Sequence, residues 1–315
     1  MFMERRRALV IGMLTALIVL PAAGAPKAPA LAGTPRPEAA PVAVRRAADP
    51  GPRFDPPHAV PPPAPATAPG AAEEALRAYT AAGGPRPAVV TTARAVLVGE
   101  PESLLREIAA EVEPGIDAVS RVWGEWPRRV VLFLARDRDH ASALAGTQAG
   151  EFAAIASGGD RVVLAPGPFG RLSPAGRRVV LRHELAHVAT RAANTPSLPG
   201  WLLEGFADYV GYRDAGIPVP VAARELAEEV RAGRSPERLP GRAAFEAHAA
   251  RLPQAYEEAW LACRMIADRW GETVLVRLYG QMARDPSETT LRRVLGIGTP
   301  ELTRLWREHL TATLW

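Results

Sequence analysis

The sequence has almost no cysteine, since Cys263 is the only one among 315 residues. A single cysteine excludes an internal disulfide framework and any metal site built mainly from cysteine ligands. Cys263 lies among apolar residues of a predicted helix, where a lone buried thiol is more often a core residue than a nucleophile. Any metal bound by this chain therefore needs histidine, carboxylate, hydroxyl or backbone ligands.

Lysine is equally scarce, since Lys27 is the only one and all other basic residues are arginines. Residues 1–70 carry eight basic and four acidic residues, which accounts for the whole net charge of +4, and residues 71–315 carry thirty of each sign. A protein that binds nucleic acid through a basic surface concentrates its cations on the folded part. The balanced charge of residues 71–315 therefore predicts no nucleic-acid binding.

The apolar run at the N-terminus is too short for a typical membrane span. Ala8 to Leu20 is thirteen residues long, whereas a transmembrane helix needs about 20. A basic start precedes the run and small residues follow it, which is typical of a signal peptide. Cleavage after Ala32 is favoured, because Pro26 directly follows the other A-x-A site. We predict that residues 1–32 are a cleaved signal peptide, that the protein is secreted or extracytoplasmic, and that the mature chain has no membrane span. An uncleaved N-terminal membrane anchor is the alternative.

Proline is unevenly spread, with fifteen of the 32 prolines between Pro21 and Gly70. Proline fixes φ and removes a backbone donor, so this stretch is expected to be an extended spacer without a core. We predict a disordered Pro/Ala-rich linker over residues 33–70 and one folded domain over residues 71–315. The linker either holds that domain away from the cell envelope or has no role of its own, and both interpretations stay open.

Residues 71–315 show strand patterns first and helix patterns afterwards. Short apolar runs predict strands at Val89–Thr92, Ala95–Val98, Arg129–Ala135 and Arg161–Ala165, with a hairpin turn at Gly158-Gly159-Asp160. Apolar residues spaced by three and four predict a helix over Pro101–Trp123, kinked or split at Pro114. Beyond Pro174 the pattern predicts helices at about 175–193, 199–213, 219–232, 254–269, 271–284, 287–295 and 299–312. This order predicts an α+β fold, a small mixed β-sheet followed by a mostly helical lobe.

His183-Glu184-Leu185-Ala186-His187 is an H-E-x-x-H motif in a segment of good helical composition. Side chains four residues apart share one helix face, so both imidazoles can reach a single tetrahedral zinc ion. Glu184 points instead towards a water molecule activated by the metal and is placed to act as general base. The alternative is a surface helix with two solvated histidines.

A catalytic zinc site needs a third protein ligand and an open position. The H-E-x-x-H-x-x-G-x-x-H pattern fails here, because Thr190 and Ala193 occupy the Gly and His positions. Glu204 follows the motif by seventeen residues, and a Pro/Gly-rich turn allows its helix to fold back onto the first. We predict Glu204 as the third ligand and Asp208, one turn later, as the acceptor of a ligand histidine's second N–H. Both carboxylates could instead be ordinary surface charges.

The H-E-x-x-H motif followed by W-L-x-E-G-x-A-x-Y resembles the gluzincin metallopeptidases, and most closely the peptidase MA-like domains of secreted bacterial proteins. The resemblance covers about residues 90–315 and is concentrated in Leu181–Ala192 and Trp201–Tyr212. It implies a zincin-like fold, one Zn²⁺ per chain and hydrolysis of a peptide or protein substrate. It also implies an edge strand along which an extended substrate lies. Arg161–Ala165 occupies that place, with a plain core strand as the alternative.

The resemblance further implies a Tyr or His that stabilises the oxyanion formed during hydrolysis. Tyr256 matches the tyrosine that opens the helix after the zinc site in such domains, His248 is the other candidate, and a Tyr256 used only for packing stays open. The G-x-M-E-N motif of aminopeptidases is absent, which favours an endopeptidase. We expect a monomeric, secreted zinc metallopeptidase. The alternatives are a zinc-retaining binding or sensing module without turnover on a cell-envelope stalk, and a structural envelope protein with a chance H-E-x-x-H.

Overall fold

The computed structural model describes residues 11–14, 70–124, 129–147 and 152–315. Most of the predicted signal peptide and nearly all of the predicted linker therefore lie outside the described residues. Within the described part the fold is α+β, a mixed sheet with a helical lobe, which confirms the predicted class. None of the described helices is long and apolar enough to cross a membrane.

The strands are β1 Ile11–Leu14, β2 Ala88–Thr91, β3 Ala95–Gly99, β4 Val130–Leu134, β5 Phe152–Ser157 and β6 Arg161–Leu164. The helices are α1 Ala71–Ala81, α2 Glu102–Trp123, α3 Arg138–Ala145, α4 Pro166–Gly170, α5 Pro174–Thr190, α6 Gly200–Tyr212, α7 Val219–Ala222, α8 Arg224–Arg231, α9 Leu252–Trp270, α10 Glu272–Arg284, α11 Glu288–Leu295 and α12 Thr299–Leu314.

The sheet has the strand order β1-β5-β6-β4-β3-β2, with β3, β4 and β6 parallel and the other pairs antiparallel. Helices cover both faces of the central strands, so their side chains are buried on both sides. Leu97 and Leu132 pack in the large cluster that includes α2 and α5. Val98 and Phe133 point to the opposite face, into a smaller cluster with α1 and α3.

The position of the edge strand differs from the prediction. Arg161–Leu164 pairs with β4 on one side and with β5 on the other, so it is an internal strand. The place beside the helix that carries the H-E-x-x-H motif belongs to β5, which pairs with the short strand β1. Phe152–Ser157 carries no strand pattern in its sequence, because the segment is rich in alanine, a weak strand former. The hairpin turn between β5 and β6 lies where predicted.

Two helix predictions are also corrected. The helix Glu102–Trp123 is not split at Pro114, because a continuous apolar face is buried and outweighs the lost hydrogen bond. The predicted helix 219–232 is two helices, α7 and α8, separated by Ala223 with φ −117° and ψ 49°. This break exposes the first N–H groups of α8 to a neighbouring helix.

Close packing against two neighbours fixes the position of α6. A Cβ at Gly211 would lie 2.9 Å from the carbonyl oxygen of Val179 on α5, and a Cβ at Gly205 would collide with the carbonyl oxygen of Ala259 on α9. Cys263 lies in the same α6–α9 contact and is fully buried, as expected of a core residue. Glycine at these two positions therefore lets α6 lie between the helix that carries the H-E-x-x-H motif and the helix that carries Tyr256.

Candidate metal centre

The first two candidate ligands lie on α5, whose start is well defined. Ser173 accepts a hydrogen bond from the backbone N–H of Gly176, and Pro174 occupies the first helical position. His183 and His187 are buried and four residues apart, so they share one face of the helix. Their Nε2 atoms lie 2.9 Å apart.

The third candidate ligand comes from α6, as the sequence predicted. Glu204 Oε2 lies 3.5 Å from His183 Nε2 and 3.4 Å from His187 Nε2, and Glu204 is buried. Tetrahedral coordination at the usual zinc–nitrogen and zinc–oxygen distances separates neighbouring ligand atoms by about 3.3 Å. Among the described residues these three form the one group of histidine, cysteine or carboxylate side chains that converges closely enough to hold a metal ion.

Asp208 fixes the orientation of the first histidine. Its Oδ1 lies 2.8 Å from His183 Nδ1, and both side chains are buried. A proton on Nδ1 that is donated to this carboxylate leaves Nε2 with a lone pair directed at the cluster, the form in which histidine binds a metal. The structure thus brings Asp208 to the position expected from its sequence spacing.

The cluster favours a positive charge between its members. Glu204 Oε2 is buried and has no hydrogen-bond partner in the described part of the chain. Burial opposes ionisation of Glu204, but His187 and His183 lower its pKa to about 2. Burial likewise lowers the pKa of His183, yet Asp208 and Glu204 raise it well above its ordinary value. A divalent cation would satisfy the carboxylate and both Nε2 lone pairs, so these residues fit a metal ion.

Glu184 lies next to the cluster and is completely buried. Its Oε2 accepts a 2.7 Å hydrogen bond from the backbone N–H of Ala156 on β5. Its Oε1 has no hydrogen-bond partner among the described residues. Burial raises the pKa of Glu184 to about 8, so the carboxyl can gain and lose a proton near neutral pH. No pattern in the sequence marks Ala156, because its contribution is a backbone N–H, which carries no residue-type signal.

Tyr256 and His248 are placed very differently. The Tyr256 ring is buried in the first turns of α9, with its centroid 6.2 Å from that of His183. Burial, reinforced by Glu204, raises the pKa of Tyr256 well above its ordinary value, so its hydroxyl stays protonated and can donate. His248 is exposed in a turn that precedes α9. The structure therefore brings Tyr256 towards the metal centre.

A short 3-10 helix, Arg242–Phe245, connects these elements and was not predicted. Arg242 donates to the carbonyl oxygens of Thr195 and Leu198, at 2.8 and 2.9 Å, in the turn before α6. Phe245 contacts the Tyr256 ring edge-to-face, with the centroids 5.2 Å apart. The segment thus ties the helix of the third ligand to Tyr256. No pattern in the sequence marks Arg242, because its partners are backbone carbonyls.

Comparison with solved structures shows a similarity to a zinc metallopeptidase. No protein-family model matches the chain, and no curated protein matches its sequence. A crystal structure of a mutant M1 zinc metallopeptidase from Deinococcus radiodurans, bound to a Tyr-Ser-Ala substrate, aligns with a TM-score of 0.37 and 16% identity. The alignment covers 73% of this chain and 52% of that protein, so the chain spans about half of its length.

Proposed function

We propose that this chain is a secreted zinc-dependent metallopeptidase that hydrolyses peptide bonds. The observation that carries the proposal is the convergence of His183, His187 and Glu204 in one buried cluster, beside the buried carboxyl of Glu184. Two histidines and one carboxylate are a ligand set typical of catalytic zinc, which keeps a fourth position open. A structural zinc site would need a fourth protein ligand.

In the proposed reaction, Glu184 transfers protons and Tyr256 stabilises the developing negative charge. Zinc bound at this site would supply a Lewis acid that polarises the scissile carbonyl and lowers the pKa of water towards 7. Glu184 takes a proton from water while the water oxygen bonds to the carbonyl carbon, and it returns that proton to the amine nitrogen as the scissile C–N bond breaks. Tyr256 donates a hydrogen bond to the carbonyl oxygen as negative charge develops there.

The substrate in this proposal is an extended peptide that adds a strand to β5. The antiparallel pairing of Ile11–Leu14 with β5 supports this choice, because the edge of β5 beside Glu184 pairs there with a short strand. Main-chain hydrogen bonds give such binding affinity without demanding a particular sequence. Removal of residues 1–32 as a signal peptide would take β1 away and open this edge. Cleavage within a chain, as an endopeptidase, is part of the proposal, and so is a monomeric domain of residues 71–315 on a linker.

Metal content and chelator-sensitive hydrolysis test the proposal together. We expect one zinc per purified chain, cleavage of a mixed unfolded-protein substrate, loss of cleavage when a chelator removes the metal, and recovery on adding zinc. Stability should rise with zinc concentration, because binding to the folded state alone stabilises it. One zinc without cleavage would favour the binding or sensing module. A chain that retains no metal would contradict the proposal.

Replacement of Tyr256 by Phe tests the oxyanion role. We expect kcat to fall by about 10²–10³, because one preorganised donor to the developing oxyanion is lost. KM and zinc content should change little, since the ring and its contact with Phe245 are kept. Steady-state kinetics and metal analysis of the zinc-loaded chain measure both. Full activity of Tyr256→Phe combined with a large loss in His248→Ala would transfer the role to His248.

A further inference from the structure

Glu257, the residue after Tyr256, is a buried carboxyl that the proposed reaction does not use. Its exposed fraction is 1%. Its Oε2 accepts a 2.6 Å hydrogen bond from the backbone N–H of Leu226 in the first turn of α8. Ala223 precedes α8 and offers no side chain to cap that helix. Glu257 therefore supplies from α9 the cap that α8 lacks in its own sequence.

The second oxygen of Glu257 faces another carboxyl group. Glu257 and Glu225 lie within side-chain hydrogen-bond reach, and Oε1 of Glu257 finds no donor among the described residues. Burial of Glu257 next to the acidic Glu225 disfavours ionisation of Glu257. Arg224 contacts Glu225 at 2.9 Å, which keeps the negative charge on the more exposed Glu225.

Other charged groups near this pair do not neutralise Glu257. On its own helix, Glu258 is paired with Arg251 at 2.8 Å. From α6, the buried Tyr212 hydroxyl finds no hydrogen-bond partner in the described residues, and burial, followed by Asp208, Glu257 and Glu225, raises its pKa well above the ordinary value. From α12, Trp306 donates to the backbone carbonyl of Glu258. Burial, followed by the contact with Glu225, raises the pKa of Glu257 to about 9.

We propose that Glu257 is a positioning residue for Tyr256, whose protonated carboxyl joins α9 to the start of α8 by accepting from Leu226 and donating to Glu225. This joint fixes the first turns of α9, and Tyr256 lies in them. The effect on hydrolysis rests on the proposed function, whereas the proton that Glu257 shares with Glu225 and the helix joint do not.

The shared proton gives stability a defined pH dependence. An unfolded glutamate has a pKa of about 4.3, so between that value and about 9 the folded chain holds one more proton than the unfolded chain. The stabilisation that this proton provides is fully present at pH values below the pKa of the unfolded glutamate. It is lost as pH rises towards the pKa of Glu257 in the folded chain. Across this interval the group multiplies the unfolding constant by up to tenfold for each pH unit. Above pH 9 two ionised carboxyls would repel and release the start of α9.

Glu257→Gln and Glu257→Ala in the zinc-loaded chain test the proposal. Gln keeps both hydrogen bonds, because its amide N–H₂ donates to Glu225 and its oxygen accepts from Leu226. We expect Glu257→Gln to retain the wild-type kcat at pH 7. Its unfolding constant should lack the increase of up to tenfold per pH unit that the wild type shows between pH 5 and 9. Glu257→Ala should lower kcat by about 10- to 100-fold, as expected for a misplaced catalytic group. Glu228→Gln makes the same change at an exposed position on α8. It should match the wild type in kcat and in the pH dependence of stability.

Denaturant unfolding at several pH values and infrared spectra provide readouts that do not need turnover. The wild-type minus Glu257→Gln difference spectrum at pH 7 should contain the carbonyl band of a protonated carboxylic acid. Absence of that band, or an unchanged pH slope in Glu257→Gln, would overturn the shared proton. Wild-type kcat in Glu257→Ala would overturn the positioning role. If the wild type hydrolyses nothing, the proposed function fails. The pH dependence of stability and the infrared band still test whether a protonated Glu257 links α9 to α8.

Discussion

Replacing Glu184 with Gln is expected to lower kcat by about 10²–10⁴ while one zinc per chain is retained. Gln has nearly the same shape and can still accept the hydrogen bond from the Ala156 N–H, but it cannot take a proton from water. Because Glu184 is not one of the three converging ligand atoms, metal affinity should stay close to that of the wild type. Steady-state hydrolysis and metal analysis of the same preparation measure the two effects separately.

Glu74→Gln is a suitable control for this experiment, since it makes the same change at an exposed position on α1. It should match the wild type in kcat, zinc content and unfolding midpoint. Undiminished hydrolysis by Glu184→Gln would refute the general-base assignment. Loss of zinc from that variant would show instead that Glu184 helps to hold the metal.

Replacing Glu204 with Ala is expected to remove most of the zinc affinity. The change takes away one of three ligands and the only carboxylate among them, and leaves two buried histidines as the remaining ligands. The loss should exceed the roughly 10- to 100-fold that is typical when an outer partner of a ligand histidine is removed. Titration with zinc against a competing chelator measures the affinity, and the zinc-dependent gain in unfolding midpoint should disappear.

Asp208→Asn gives a graded comparison on the same helix. Asn can still contact His183 Nδ1 but lacks the negative charge, so its zinc affinity should lie between those of Glu204→Ala and the wild type. Equal affinity in Glu204→Ala and the wild type would remove Glu204 from the ligand set. A larger loss in Asp208→Asn than in Glu204→Ala would mean that Asp208, and not Glu204, is the group that binds the metal.

The sequence was informative wherever a short chain segment is sufficient to define geometry. The i, i+4 spacing of His183 and His187 places both on one helix face regardless of the rest of the fold. Most helix positions after Pro174 follow from periodicity, capping residues and prolines, which act within one or two turns. The apolar spacing in α2 identified its buried face, but it could not show that burial of this face would carry the helix through Pro114.

The main errors concern pairing between segments distant in the sequence. The resemblance implies an edge position for Arg161–Ala165, but the structure pairs this strand with β4 and with β5, because strand order depends on which strands find hydrogen-bond partners. The break at Ala223 has a similar origin, because the Leu226 N–H in the first turn of α8 finds its acceptor on Glu257, 31 residues away. Such partners leave no local signal.

The sequence by itself therefore determined the α+β class, the helix that carries His183 and His187, and Glu204 as the candidate third ligand, because these depend on periodicity and spacing within short segments. Only the tertiary structure decided which strand lies beside Glu184, which of the two histidines Asp208 contacts, that Tyr256 rather than His248 faces the cluster, and that Glu257 is buried and accepts from Leu226. These four outcomes depend on how α5, α6, α8, α9 and the sheet pack together. Packing is set by close contacts such as those of Gly205 and Gly211, which lie between helices and not along the chain.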